Sequence, residues 1–365
     1  MKLGEACFLK SGKNITAKEI YVSPKDNLYP CYGGNGLRGY VDKYNYEGDY
    51  NLIGRQGALC GNINRVNGKF YATEHAVVVT PLISLDIDWL YFALVGMDLN
   101  QYHTGAAQPG LNIDILNNLE IDVPIIGEQI AQATVLNKIN GMIRNRKREL
   151  EKLDDLIKAR FVELFGDPVL NEKGWDVRSF LDMGDCKNGM NFHYDDSGVE
   201  LNCLGVGDFK DNSIIDNTSV LPMVSLNEMP SDEYLLRDDD IVFVRSNGNK
   251  ALVGRSVAVY PGTIPTIFSG FCIRYRKHDE NITIPYLLRV LKTDSIRKKM
   301  AGRGANIQNL NQKILGELVI PIPPLDLQKQ FSDFVTQVDK SKIEVQKSLD
   351  EAQLLFDSLM QQYFG

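Results

Sequence analysis

The chain has 365 residues, 44% apolar and 24% charged, with a formal net charge of −7; this is the composition of an ordinary globular protein, and the length suggests two or three domains. No stretch approaches the roughly 18 apolar residues of a membrane span, and Met1-Lys2-Leu3-Gly4-Glu5 opens no signal peptide, so a cytoplasmic protein without membrane contacts is expected. The six cysteines, Cys7, Cys31, Cys60, Cys186, Cys203 and Cys272, form no C-x-x-C pair, which points to reduced thiols packed as small hydrophobes rather than to a disulfide or zinc framework.

Residues 1–125 are rich in Gly, Tyr, Asn and β-branched residues, with short runs such as Phe70-Tyr71-Ala72 and Ala76-Val77-Val78-Val79. Turn punctuation at Ser23-Pro24, Gly33-Gly34 and Asn67-Gly68 predicts mostly strand and loop. Residues 126–166 change character. Leu136, Ile139, Ile143, Leu150, Leu153, Ile157 and Leu164 follow heptad spacing, broken only by Arg146 and Arg160, and Gly166-Asp167-Pro168 stops the run. At 1.5 Å per residue this helix is roughly 57 Å long. Residues 167–325 return to β-rich, loop-rich sequence. Residues 326–365 form a second helix with Val335, Val338, Val345, Leu349, Ala352, Phe356, Leu359 and Tyr363 on its stripe and Lys342 as the exception.

The chain also repeats itself. Leu111, Asn112, Ile115, Leu116, Leu119, Ile121, Pro124 and Gln129 meet Leu310, Asn311, Ile314, Leu315, Leu318, Ile320, Pro323 and Gln328, each 199 residues later, and Gly105-Ala106 meets Gly304-Ala305. That period is too long for a solenoid, whose repeats run about 20–50 residues. The expected fold is α+β with a pseudo-two-fold internal repeat: two β-rich globular domains, 1–125 and 167–325, separated by two long helices packed as an antiparallel coiled coil. Pro124 and Pro321-x-Pro323-Pro324 stiffen the joints between domain and helix.

Motifs for chemistry are sparse. Gly34-x-Gly36-x-x-Gly39 has the letters of a dinucleotide-binding turn, but Tyr40–Tyr50 is aromatic and turn-like, so no helix N-terminus is offered to a pyrophosphate. No P-loop, G-x-S-x-G or H-E-x-x-H occurs, and Pro323-Pro324 is followed by Leu325-Asp326 rather than an aromatic residue. His75, His103, His193 and His278 lack metal-ligand spacing, so no catalytic residue and no metal site is expected.

Charge is unevenly distributed. Residues 167–244 hold 5 basic and 17 acidic side chains, a balance of −12, whereas residues 245–303 hold 12 basic and 3 acidic, a balance of +9. Phosphate attraction is local, being screened beyond about 10 Å, so the second stretch suggests a nucleic-acid surface; the alternative is that these charges interleave in the fold. Amide- and arginine-rich loops support the first reading. In the first half they carry Tyr32, Asn35, Arg38, Arg55, Gln56, Thr104 and Gln108; in the second, Arg245, Ser246, Asn247, Asn249, Lys250, Arg303, Asn306 and Gln308, with Lys298 and Lys299 on a basic segment nearby. Arginine pairs with guanine edges, Asn and Gln with adenine edges, and lysine with phosphates. The same residues are also common turn formers.

Two variable units, each closed by a G-A…L-N…L…I-x-(I/V)-P-x(4)-Q tail and a heptad helix, resemble the DNA-specificity subunit of a Type I restriction-modification system. The tails run from Gly105 to Gln129 and from Gly304 to Gln328; in the first, Ile125-Ile126 replaces Pro324-Leu325 of the second. The resemblance implies two target-recognition domains that bind an asymmetric, two-part site on double-stranded DNA. It also implies two methyltransferase subunits carrying S-adenosylmethionine, motor and nuclease subunits using ATP and Mg for restriction, and no cofactor or active site on this chain. The alternatives are a coiled-coil scaffold with two β-rich protein-binding modules, or the specificity part of a fused restriction-methylation enzyme.

Overall fold

A computed structural model of the chain describes residues 1–57, 59–105, 109–192, 197–209, 213–300 and 309–365. It divides into two compact units. Unit 1 combines Met1–Glu149 with Val345–Gly365, whereas unit 2 is the continuous stretch Leu150–Glu344.

In chain order the first half runs α1 (Leu3–Ala6), β1 (Cys7–Ser11), β2 (Tyr29–Gly33), β3 (Gly36–Val41), β4 (Tyr46–Glu47), β5 (Tyr50–Gly54), β6 (Ile63–Val66), β7 (Lys69–Ala72) and β8 (Ala76–Pro81). Three helices follow: α2 (Ile87–Gly96), α3 (Ile113–Asn118) and the long α4 (Ile126–Phe165). The second half adds β9 (Asp176–Ser179), β10 (Gly184–Asn188), β11 (Val199–Leu204), β12 (Ile214–Ile215), β13 (Met223–Leu226), β14 (Asp240–Val244), β15 (Ser256–Val259), β16 (Thr266–Phe268) and β17 (Cys272–Lys277). It closes with α5 (Ile284–Leu291), α6 (Asp294–Met300), α7 (Gln312–Gly316), β18 (Val319–Ile322) and the long α8 (Leu325–Phe364).

The two units share one topology. The antiparallel sheet β1-β8-β5-β6 of unit 1 is matched by β10-β17-β14-β15 in unit 2, where β12 adds a parallel edge. A second sheet, β3-β2-β7-β4, is matched by β13-β11-β16, and the pairings β2–β7 and β11–β16 are both parallel. Strand alternation builds two cores from one strand. Val77 and Val79 of β8 join Leu9, Ile53 and Trp89 on one face, while Val78 joins Leu52 and Phe70 on the other. In unit 2, Ile241 and Phe243 of β14 face the cluster that holds Phe161, Tyr286 and Phe331, and Val242 and Val244 face another.

The long helices are repeats in register. Each has 40 residues, and both boundaries of α8 lie 199 residues beyond those of α4. Their predicted stripe is buried or half-buried at every position. Within unit 2 they run antiparallel, since Phe161 and Phe165 pack edge-on against Phe331 (5.6 and 5.5 Å) while Lys342, further along α8, reaches back to Asp154 at 2.8 Å. Arg160, an exception in the stripe, lies over the Phe334 ring and pairs with Glu163 at 2.8 Å. Within unit 1 the C-terminal part of α8 packs on α2, with Phe356 beside Phe92 (6.0 Å) and Phe364 beside Trp89 (5.9 Å).

One buried glutamine pins each domain to its helix. Gln129, 1% exposed, donates from Nε2 to the Pro124 carbonyl and accepts at Oε1 from the Asp86 N–H, both at 2.8 Å. Gln328, 0% exposed, donates to the carbonyls of Pro323 (2.8 Å) and Asn281 (2.9 Å) and accepts from the Thr283 N–H (2.8 Å). Asp86 and Thr283 are the N-cap residues of α2 and α5. Each glutamine therefore ties the start of a domain helix to the first turn of a long helix.

The glycine-rich run Gly34–Gly39 is part of a β-hairpin, β2 to β3, and not a strand-to-helix turn. Its glycines serve backbone proximity. A Cβ on Gly54 would lie 1.9 Å from the Gly34 carbonyl oxygen, and Gly36 has φ +95°.

Candidate nucleic-acid interface

The central strand of each unit ends on a predicted arginine, and both arginines sit in the same backbone frame. Arg55 follows β5, and its carbonyl accepts from the Leu111 N–H at 2.8 Å; Arg245 follows β14, and its carbonyl accepts from the Leu310 N–H at 2.8 Å. The next residues pair likewise, Gln56 with Gly110 and Ser246 with Asn309, as isolated antiparallel bridges. The repeated tail segments thus staple a corner of each domain, and the loop-borne candidates cluster at those corners.

In unit 1 a surface groove is lined by Gly33–Arg38, Gln56, Gly57 and His75. It brings together three predicted residues, Asn35, Arg38 and Gln56, of which all are exposed. Arg55 is half-buried, with one guanidinium nitrogen donating to Ser11 Oγ at 2.9 Å and its Nε buried without a partner. Thr104 is exposed and exchanges backbone hydrogen bonds with Gly110, which places its loop beside Gln56. Tyr32 does not line the groove; its ring packs edge-on to Phe70 at 6.0 Å, and burial raises the pKa of its hydroxyl. Gln108 lies outside the described residues.

In unit 2, Arg245 donates to the Gly270 carbonyl at 3.2 Å, and Ser246 and Asn247 are half-buried. The side-chain oxygens of Asn247 and Asn249 accept from the N–H groups of Asn249 (2.8 Å) and Ala251 (3.1 Å), so both asparagines shape the turn as well as facing outward. Asn249 and Lys250 are exposed, as are Lys298 and Lys299 on the outer face of α6, whose inner face buries Ile296 and Met300. Arg303, Asn306 and Gln308 lie outside the described residues.

The basic excess of residues 245–303 does not all reach the surface. Arg274, 3% exposed, pairs with Asp185 at 3.2 Å, and Arg276 makes two hydrogen bonds, 2.8 and 2.7 Å, to the fully buried Asp240. β17 lies between β10 and β14, so the fold lays part of the basic stretch against the acidic one and spends those charges internally. The interleaved alternative is correct for these arginines.

Sequence reasoning missed the corner residue opposite each arginine. The Arg55 N–H donates to the His75 carbonyl at 3.0 Å, and the Arg245 N–H donates to the Phe271 carbonyl at 2.8 Å. His75 had no distinguishing spacing and Phe271 no polar group, so neither stood out before the strands were paired.

The chain is thus a duplicated α+β frame that carries two differently furnished, arginine-centred polar corners. The family model described as Type I restriction modification DNA specificity domain matches residues 1–154 and 172–353, and the chain belongs to that family. It is 48% identical over 141 residues to the Type I restriction enzyme EcoprrI specificity subunit of Escherichia coli, an alignment spanning 38% of this chain and 35% of that protein. It is 22% identical over 362 residues to the MjaVIII specificity subunit of Methanocaldococcus jannaschii, covering 92% of this chain and 77% of that one. Among solved structures, the S subunit of a Type I restriction-modification system from M. genitalium superposes with a TM-score of 0.65 at 19% identity, covering 100% of this chain and 95% of the other, which supports the fold. Among the described residues, no helix is long and apolar enough to cross a membrane.

Proposed function

We propose that each unit reads its own half of a two-part site on double-stranded DNA, using the corner around Arg55 in unit 1 and that around Arg245 in unit 2. The observation that carries this reading is the recurrence of the stapled corner on a common frame with different side chains around it. A repeated mount with divergent contacts suits an asymmetric target. Arg55, Gln56, Asn35, Arg38 and Thr104 serve the first half-site, and Arg245, Ser246, Asn247 and Asn249 the second. Lys250, Lys298 and Lys299 hold phosphates and carry no sequence information.

In this reading the chain performs no chemistry. It recruits two methyltransferase subunits that bring S-adenosylmethionine, and motor-nuclease subunits that use ATP and Mg, in the cytoplasm. Family membership and the names of its relatives support the assembly; the stoichiometry is part of the proposal.

The test is methylome sequencing of cells expressing the chain with its methyltransferase partner. Arg55→Ala should relax one half of the methylated motif and Arg245→Ala the other, each losing about 1–3 kcal/mol of discrimination at one base pair. If both substitutions degraded both halves equally, independent readout by the two units would be wrong.

A further inference from the structure

The corner residues His75 and Phe271 share one backbone setting. The N–H of His75 donates to Thr73 Oγ1 (3.4 Å) and that of Phe271 to Ser269 Oγ (3.3 Å), in each case a hydroxyl two residues upstream. Their carbonyls accept from the paired arginine in both units, at 3.0 and 2.8 Å. Both backbone groups are thus engaged in each corner, and the Phe271 side chain is left to project. Phe271 is 60% exposed, although burying a phenylalanine ring would stabilise the fold. At the same position in unit 1, His75 lines the groove with Asn35, Arg38 and Gln56.

We propose that this corner is a specificity-determining position in both units, and that Phe271 reads the 5-methyl group of a thymine in the major groove. The inference rests on the DNA-reading function proposed above. Its chemistry follows from the side chains. Phenylalanine has no hydrogen-bond donor or acceptor, and the apolar feature that a base pair shows in the major groove is the thymine methyl. The His75 ring, whose Nε2 lies 3.1 Å from Glu74 Oε1, has a second nitrogen that can donate or accept, so the matching corner of unit 1 suits a hydrogen-bonding base edge. One position thus gives the two units different base preferences without altering the frame.

The experiment uses the full chain assembled with its methyltransferase partner and a duplex carrying the motif found by methylome sequencing. Each thymine of the motif is replaced in turn by uracil, which removes only the methyl group. The wild-type complex should lose about fourfold in affinity, the worth of one buried methyl, at a single thymine of the unit 2 half-site. Phe271→Ala should lose the same amount on the unmodified duplex and be indifferent to that uracil, and Phe271→Leu should restore part of the sensitivity. Continued reading of the unit 1 half-site by both variants shows that they are folded. A wild-type complex insensitive to every uracil, or a Phe271→Ala variant weakened equally on all sequences, overturns the thymine assignment. A Phe271→Ala complex that unstacks a base step less than wild type, read by 2-aminopurine fluorescence, overturns it in favour of a wedge. A wild-type complex that methylates no two-part motif overturns the underlying function instead.

Discussion

Replacing Gln328 with methionine keeps the volume of the side chain and removes both polar ends. The change strands the Thr283 N–H and the carbonyls of Pro323 and Asn281, which now meet Gln328 at 2.8–2.9 Å. Asn281 is exposed, so water can reach its carbonyl. The other two groups each cost about 1–3 kcal/mol when left buried without a partner, giving roughly 2–6 kcal/mol in all. Gln129→Met strands the Asp86 N–H and the Pro124 carbonyl in a less enclosed setting and should cost about 1–3 kcal/mol. The two tryptophans separate these effects, because Trp89 lies in unit 1 and Trp175 in unit 2. Urea unfolding of a Trp89→Phe background, followed by Trp175 fluorescence, should show the Gln328→Met midpoint falling by roughly 1 M or more at ordinary urea sensitivity. Gln328→Glu should be worse at neutral pH, where a carboxylate would face two carbonyl oxygens, and should recover on acidification as the protonated acid donates again. A midpoint unchanged within error for Gln328→Met would show that the latch contributes nothing, and the argument from buried partners would fail.

Inserting four residues between Val345 and Leu349 lengthens α8 by about 6 Å, or roughly two base-pair steps, and rotates its apolar stripe; methylome sequencing should show a changed gap in the motif or no methylation, and an unchanged motif at full activity would refute a ruler role. Burial holds Lys292 down to about 8 from its ordinary 10.5, aided by the charges of Arg289 and Lys342 and opposed by Asp154 and Asp339. The folded state therefore resists its proton, so wild-type stability rises with pH between about 8 and 10.5. Lys292→Met should be more stable than wild type at pH 7, by on the order of 1–2 kcal/mol because the ammonium reaches solvent beside Ser213, and the gap should close by pH 10.5 in thermal melts. Burial pushes the Cys7, Cys186 and Cys203 thiols up to about 12 and Cys31 to about 11, so iodoacetamide at pH 8 should label the native chain slowly and the urea-unfolded chain quickly; rapid native labelling of these four would contradict the packing.

The helices and tails were legible because their contacts are local or periodic. The stripe from Leu136 to Leu164 needs only the geometry of one helix, and the Leu111–Gln129 tail recurs at Leu310–Gln328 because the same staple and the same latch must be made twice. The domains were less legible because equivalence there is set by strand pairing, and loops of different length slip the register. Arg245 lies 190 residues after Arg55, Phe271 196 after His75, and Thr283 197 after Asp86, while the helices keep 199. Loop length changes stability only weakly, so the strands can stay paired while the offset drifts. The largest difference falls between β2 and β3, joined by Gly34-Asn35, and their counterparts β11 and β13, which are separated by residues 205–222 including β12. The charge reading erred for a similar reason: Arg274 and Arg276 meet Asp185 and Asp240 only once β17 lies between β10 and β14.

The discontinuous make-up of unit 1 sets an order of events during synthesis. Unit 2 has all of its residues once Glu344 leaves the ribosome, whereas unit 1, begun at Met1, still lacks Val345–Gly365. Until that last segment emerges, the faces of Trp89, Phe92 and Gly96 that receive Phe356, Met360 and Phe364 have no cover. The half encoded first is therefore finished last. A nascent chain interrupted after Glu344 would carry all of unit 2 and an unfinished unit 1 with that aromatic face exposed.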